Sequence, residues 1–331
     1  MLMTSDSRES RPDFLLIGAM KAGTTSLFHD LNAQRGIYVP PDKEPTTLVH
    51  RVGDDEALAE YRELFRAASP GDLLGDASTG YAKLPEVDAG LAARAARLCA
   101  PDAKILYLVR NPVVRMLSHY HHFVSSGHYR GPLERGLVEI PHILDFSRYA
   151  YQLQPWLEAF GRERVRVVKF ERYVKQRAEV LGEVCEFLGR DFDAARVSDE
   201  VHNASDGKPL VRGPLRRLQF SAPYRRLIRP LMSPQLRVRL TARFVPPAPS
   251  RPRYMPAEVF ASIRPALEAD GQRLAEMLDW PAPVFDLRRW VAEPDGGDAA
   301  DSHSASDPAL PPTVPPPAPA RPASPRTVGR V

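Results

Sequence analysis

A chain of 331 residues, 43% of them hydrophobic, is long enough for one large or two ordinary domains and apolar enough for a substantial core, which excludes a wholly disordered protein. Its two cysteines, Cys99 and Cys185, exclude a disulfide framework or a zinc site and are expected as buried, reduced thiols. The formal net charge of +4 is uneven: residues 212–253 hold eleven arginines and no acid, which leaves −7 on the remainder.

The N-terminal MLMTSDSRESRPDF has no apolar run of the signal-peptide kind, and no later segment has the length needed to span a bilayer. A cytoplasmic protein is expected, with residues 1–12 flexible, and the Arg-, Ala- and Pro-rich composition points to a bacterial source. DFLLIGA, residues 13–19, reads as a buried strand, and TTSLFHDLNAQRG as a helix with Leu27 and Leu31 at helical spacing and Gly36 as its stop. DDEALAEYRELFRAA reads as a helix and LLGDAS, residues 73–78, as the next strand. KILYLVR (104–110) and RVRVVKF (164–170) read as buried strands, the first feeding the helix NPVVRMLSHYHHF and the second the helix ERYVKQRAEVLGEVCEFLG. Strands alternating with helices predict an α/β fold, a P-loop-like parallel β-sheet flanked by helices on both faces, in a single domain over 13–293 with an Arg-rich helical insert at 212–253. From residue 294 onward, runs such as PALPPTVPPPAPARPASP cannot bury enough surface to offset chain entropy, so 294–331 is expected to be disordered.

The loop after the first strand carries the chemistry. Gly18 and Gly23 have the spacing of the nucleotide loop G-x-x-x-x-G-K-[ST], but Thr24 stands where the lysine belongs and Lys21 lies three residues before it. The backbone N–H groups of Ala22, Gly23, Thr24, Thr25 and Ser26 are expected to face one concavity at the positive end of the helix dipole, an anion site with added hydroxyl donors. Lys21 would approach it from the side. A nucleoside triphosphate calls for the later lysine and a magnesium partner, whereas a single phosphate carrying a less charged transferable group makes a smaller demand.

LLIGAMKAGTTSL resembles the 5′-phosphosulfate loop of the sulfotransferases that use 3′-phosphoadenosine-5′-phosphosulfate (PAPS). It is most similar to the heparan-sulfate-type and bacterial carbohydrate branch, whose loop reads K-x-G-T-T. The resemblance implies that Lys21 contacts the phosphosulfate bridge, where negative charge accumulates as the S–O bond breaks, and that no metal is required.

A second anion site is expected in LYLVRNPVVRMLSHYHH. Arg110 ends a strand, Asn111 is placed to cap the next helix, and Pro112 suits the first helical position because it has no N–H to leave unpaired. Ser118, about two turns in, falls where it can converge with Arg110 on one phosphate. The family pattern is similar: an arginine at a strand end and a serine eight residues later grip the donor's 3′-phosphate. Gly207 and Lys208, in VHNASDGKPLVRG, resemble the loop that closes over the donor near that phosphate.

VPPDKEPTTLVH resembles the K-E-x-x-x-F-like segment of the heparan-sulfate-type enzymes, which implies Glu44 as catalytic base with Lys43 beside the sulfonate. Thr46, Thr47 and Leu48 stand in place of the usual aromatic pair. GDASTGYAKLP resembles the family's E-K-S-x-x-Y, with Asp76, Ser78 and Tyr81 matching in kind and Ala77 replacing the lysine. Ser78, Tyr81, His50 and His122 are the candidates for acceptor contact. His50, His119, His121 and His122 supply the runner-up base, since histidine titrates near neutrality. His119 and His122 share a helix face with Arg115, which reads as a polar, solvated or acceptor-lining surface, and without a carboxylate at ligand spacing no metal site is expected. The resemblance covers 13–211 and resumes at MPAEVFASIRPALEADGQRLAEMLDW, which is similar to the terminal helix of bacterial members.

The function implied is sulfonate transfer from PAPS to a hydroxyl or amine of a carbohydrate, glycolipid or other small acceptor. The alternatives are a P-loop-type nucleoside or small-molecule kinase and a nucleotide-binding membrane adaptor. With apolar residues interleaved among its arginines, 215–244 reads either as amphipathic helices making peripheral contact with an anionic membrane or as a helical cover that closes the acceptor cleft. Nucleic acid is not an expected partner, because no base-stacking or groove-reading motif accompanies the charge.

Overall fold

The computed structural model describes residues 10–41, 43–49, 52–197 and 250–292. The expected Arg-rich insert as far as residue 249, the tail from 294, and the candidates His50, Gly207 and Lys208 lie outside the described residues.

The expected parallel sheet is present. Its strands are β1 (Phe14–Gly18), β2 (Ile37–Tyr38), β3 (Leu73–Asp76), β4 (Lys104–Val109) and β5 (Val165–Lys169), in the order β2-β3-β1-β4-β5. Phe14–Ile17 of β1 and Ile105–Val109 of β4 are wholly buried. Central parallel strands are covered on both faces, which is why they read as unbroken apolar runs instead of alternating ones.

Helices connect the strands: α1 (Thr24–Ala33), α2 (Asp54–Leu64), α3 (Leu91–Leu98), α4 (Pro112–Ser125), α5 (Leu133–Glu139), α6 (His142–Asp145) and α7 (Tyr149–Phe160). After β5 the chain makes two helices where the sequence predicts one, α8 (Phe170–Lys175) and α9 (Arg177–Leu188), and the break falls at Gln176. The expected terminal helix is α10 (Ala257–Leu278). No helix of the described residues is long and apolar enough to cross a membrane. Both cysteines are buried free thiols, as expected.

The break at Gln176 has a tertiary cause. Arg177, the first residue of α9, donates through Nε and Nη2 to Asp30 of α1 at 2.8 and 2.7 Å, and the Tyr173 hydroxyl of α8 donates to the same carboxylate. Asp30 is 1% exposed, so this fork fastens α1, and with it the end of the loop after β1, to the sheet's far helices. Asp30→Ala is expected to cost about 2–3 kcal/mol, less than the ~3–5 of a fully enclosed pair because Arg177 keeps some solvent contact. Urea unfolding of the two proteins measures the difference.

A second apolar cluster, including Val113, Met116 and Leu117 of α4 with Met255 and Phe260, brings the segment before α10 alongside α4. That packing places Arg251 near the end of β4.

Candidate active site

Between β1 and α1, Lys21 and Gly23 take left-handed backbone conformations, with φ of 70° and 92°. Two arginines hold consecutive carbonyls of this loop: Arg115 Nη1 donates to Met20 O at 3.2 Å and Arg110 Nη1 to Lys21 O at 3.4 Å. Inside the loop, Ala22 N–H donates to Ala19 O at 3.1 Å, and Ser26 N–H to Gly23 O at 3.0 Å. These two N–H groups, expected to face a ligand, are therefore spent on closing the turn and starting the helix. Those of Gly23, Thr24 and Thr25 have no protein acceptor among the described residues and sit at the positive end of α1.

Gly23 is needed for its φ and for its neighbour. A Cβ there would lie 2.5 Å from two ring carbons of Phe170, the first residue of α8. Gly23→Ala is expected to displace loop or ring, at a cost of ~1–3 kcal/mol in stability. Thermal unfolding of the two proteins measures it.

The same ring lies under Arg110, whose guanidinium carbon is 4.5 Å from the ring centroid. Burial, followed by the nearby charge of Arg251, pushes the Arg110 pKa down to about 10, so it stays protonated at neutral pH. Two like charges near each other favour an anion between them. The strand end is fixed around them: Tyr149 OH donates to Arg110 O at 2.7 Å, and Asn111 N–H to Glu171 Oε1 at 2.7 Å. Asn111 Oδ1 accepts from Val113 N and Val114 N at 3.1 and 3.4 Å with Pro112 at the first helical position, which is the expected cap. Ser118 lies on α4 at 2% exposure, and its hydroxyl makes no hydrogen bond to Arg110. Arg251 is a candidate that the sequence does not single out, because it is one of eleven arginines in a run.

Lys43 Nζ donates to Glu44 Oε1 at 2.8 Å and to Thr25 Oγ1 at 3.0 Å, so one ammonium group bridges Glu44 to the first turn of α1. Glu44 and Thr46 have φ of 65° and 58°, unusual for side-chain-bearing residues. Backbone bonds hold this bend: Glu44 N–H donates to Ala77 O at 3.2 Å and Thr46 N–H to Ser78 Oγ at 3.0 Å.

Ser78 and Tyr81, expected to face the acceptor, are instead turned inward, at 0% and 1% exposure. Ser78 Oγ donates to Asp76 Oδ1 at 2.6 Å, while Tyr81 OH and Tyr61 OH donate to Asp76 Oδ2 at 2.5 and 2.9 Å. Burial pushes the Asp76 pKa up, and the three hydroxyl donors oppose it. Asp76, a buried carboxylate with no ion pair among the described residues, takes the hydroxyl donors in reach. Ser78 and Tyr81 therefore brace the Glu44 loop from behind.

The histidine face is also corrected. Arg115 and His119 are 0% and 1% exposed, not solvated. His119 Nδ1 accepts from Arg115 Nη2 at 3.3 Å, which leaves its proton on Nε2. Burial first, and then the Arg115 charge, push the His119 pKa far below its ordinary value, so it is not a base that titrates near neutrality. His121 is buried, and His122 is exposed on α4.

The parallel sheet, the left-handed loop feeding α1 and the arginine at the neighbouring strand end define a P-loop-like α/β domain. Residues 11–208 match the family described as "Sulfotransferase domain", more than half of the chain, and the chain belongs to that family. Among curated proteins it is 27% identical over 229 residues to human heparan sulfate glucosamine 3-O-sulfotransferase 6, covering 64% of this chain and 61% of the relative. It is 26% identical over 226 residues to human heparan sulfate glucosamine 3-O-sulfotransferase 3A1, covering 64% of this chain and 52% of the relative. The chain thus spans less than two thirds of the length of either relative. The crystal structure of a sulfotransferase from Alicyclobacillus acidocaldarius shares the fold, with a TM-score of 0.55 at 24% identity over 82% of this chain and 97% of that one.

Proposed function

We propose that the chain transfers a sulfonate group from PAPS to a hydroxyl or amine of a carbohydrate, glycolipid or other small acceptor, with Glu44 as the base. The observation that carries this reading is the Lys43 bridge, which sets the Glu44 carboxylate one ammonium group away from Thr25 at the mouth of the phosphate loop. The donor supplies an activated sulfonate joined through oxygen to its 5′-phosphate. On this reading the N–H groups of Gly23, Thr24 and Thr25 hold the 5′-phosphate, while Arg110, Arg251 and Ser118 serve the 3′-phosphate. Glu44 takes the acceptor's proton as the acceptor atom bonds to sulfur. Lys21 donates to the bridging oxygen as its bond to sulfur breaks, and adenosine 3′,5′-bisphosphate is left. Family membership and relatives named for heparan sulfate glucosamine support a carbohydrate acceptor.

The test is transfer of labelled sulfonate from PAPS into a panel of glycans, glycolipids and phenols, run with a chelator, alongside thermal shifts with adenosine 3′,5′-bisphosphate. Transfer and a bisphosphate shift without metal are expected. No transfer, with protection by ATP and magnesium alone, would replace this reading with the kinase one. A cytoplasmic location and peripheral contact of 212–253 with an anionic membrane belong to the same proposal, supported by the acid-free run of arginines. Recovery of the protein with anionic but not neutral vesicles is the expected result.

A further inference from the structure

Arg115 is wholly buried, and every group that its guanidinium meets is neutral. Nε donates to Ser147 Oγ at 2.6 Å, Nη1 to Met20 O at 3.2 Å, and Nη2 to Ile143 O at 2.5 Å and His119 Nδ1 at 3.3 Å. No carboxylate pairs with it among the described residues. Burial pushes its pKa down to about 10, with the Tyr149 and Tyr107 hydroxyls opposing, so the charge persists at neutral pH. His119 does not share that charge, since its own proton affinity has been suppressed.

A buried cation without an anion is expensive to maintain. The bonds to Ile143 O and Ser147 Oγ hold α4 against α6 and the turn after it, which accounts for the hydrogen bonds but not for the charge. The location of Arg115 supplies a reason for the charge. Arg115 lies directly behind the phosphate loop and holds the Met20 carbonyl, while Arg110 holds the next carbonyl, that of Lys21. Two consecutive carbonyls held from behind fix the course of the backbone that leads into the Gly23, Thr24 and Thr25 N–H groups.

We propose that Arg115 is a positioning residue for the donor: it fixes the Met20 carbonyl at the back of the phosphate loop and lends that loop an uncancelled positive charge. The anion missing from its surroundings is the 5′-phosphate in front of the loop. Arg115 is wholly buried, so its charge is weakly screened. This inference rests on the donor reading given above.

The experiment compares the full-length protein with Arg115→Met and Arg115→Lys, titrating each with adenosine 3′,5′-bisphosphate and with adenosine 3′-monophosphate, which lacks the 5′-phosphate. Thermal unfolding without nucleotide is recorded for each. Binding of the bisphosphate by the unaltered protein checks the donor reading by itself. The ratio of the two affinities then checks Arg115, because a purely structural role would weaken both nucleotides together and leave the ratio unchanged. Arg115→Met is expected to lower the preference for the bisphosphate by about tenfold, whatever its melting temperature. Arg115→Lys, which keeps the charge but not the planar fork, is expected to lower it by a smaller factor. An unchanged ratio in Arg115→Met overturns the proposal. If Arg115→Met does not fold, Arg115→Gln, which keeps a hydrogen-bond donor but not the charge, is read in its place: a reduced ratio supports the role and an unchanged one removes it.

Discussion

Glu44→Gln is expected to lower turnover by ~10²–10⁴ while leaving nucleotide affinity within about twofold. The substitution is nearly isosteric, and its amide oxygen can still accept from Lys43 Nζ, so the bridge to Thr25 at 3.0 Å has no reason to open. The bend at residues 44–46 is held by backbone bonds to Ala77 and Ser78 and does not depend on the carboxylate. Only the capacity to take a proton is lost. Steady-state kinetics should show the loss in kcat with the donor KM nearly unchanged. Near-normal turnover would remove Glu44 from the role of base and return the question to acceptor-side groups outside the described residues.

Lys21→Ala is the second large effect, an expected loss of ~10²–10³ in turnover, the range for removing one donor from the site of developing charge. Its melting temperature should stay within about 3 °C of the parent, roughly 1 kcal/mol for a chain of this size. The backbone at residue 21 is left-handed with either side chain, and the loop is held from outside by Arg110 and Arg115. A large drop in melting temperature would mean that the lysine's contribution is to folding, and normal turnover would exclude it from the chemistry.

Four of the five strands were legible in the sequence, LLGD of β3 among them. FLLIG, KILYLV and VRVVK are short apolar runs closed by a glycine or a charge, and each is a strand of the sheet. β2 is only Ile37 and Tyr38, too short to show a period, and owes its place to pairing with β3. The helical pattern after β5 runs straight through Gln176, since nothing in ERYVKQRAEV marks a stop, and it is Asp30, more than a hundred residues earlier, that takes Arg177. At the site, Lys21, Gly23 and Arg110 stand out through loop spacing and position at a strand end. Arg115 and His119 do not, because polarity alone suggests exposure, and their burial depends on Ile143 and Ser147 arriving from α6 and the turn after it. Ser78 and Tyr81 were legible as a pair but not in their direction, which the need of Asp76 for donors decides.

Phe170 touches both halves of the cleft, packed over Gly23 and under the Arg110 guanidinium. That ring, together with the Arg110 Nη1 bond to Lys21 O, sets one fixed separation between the two places proposed to hold the nucleotide's phosphates, like a calliper locked at a single opening. On the donor reading, such a gauge would sort molecules by the span between their charged ends before any part of the base is inspected. A regioisomer with its second phosphate on the 2′-oxygen would present the wrong span to it.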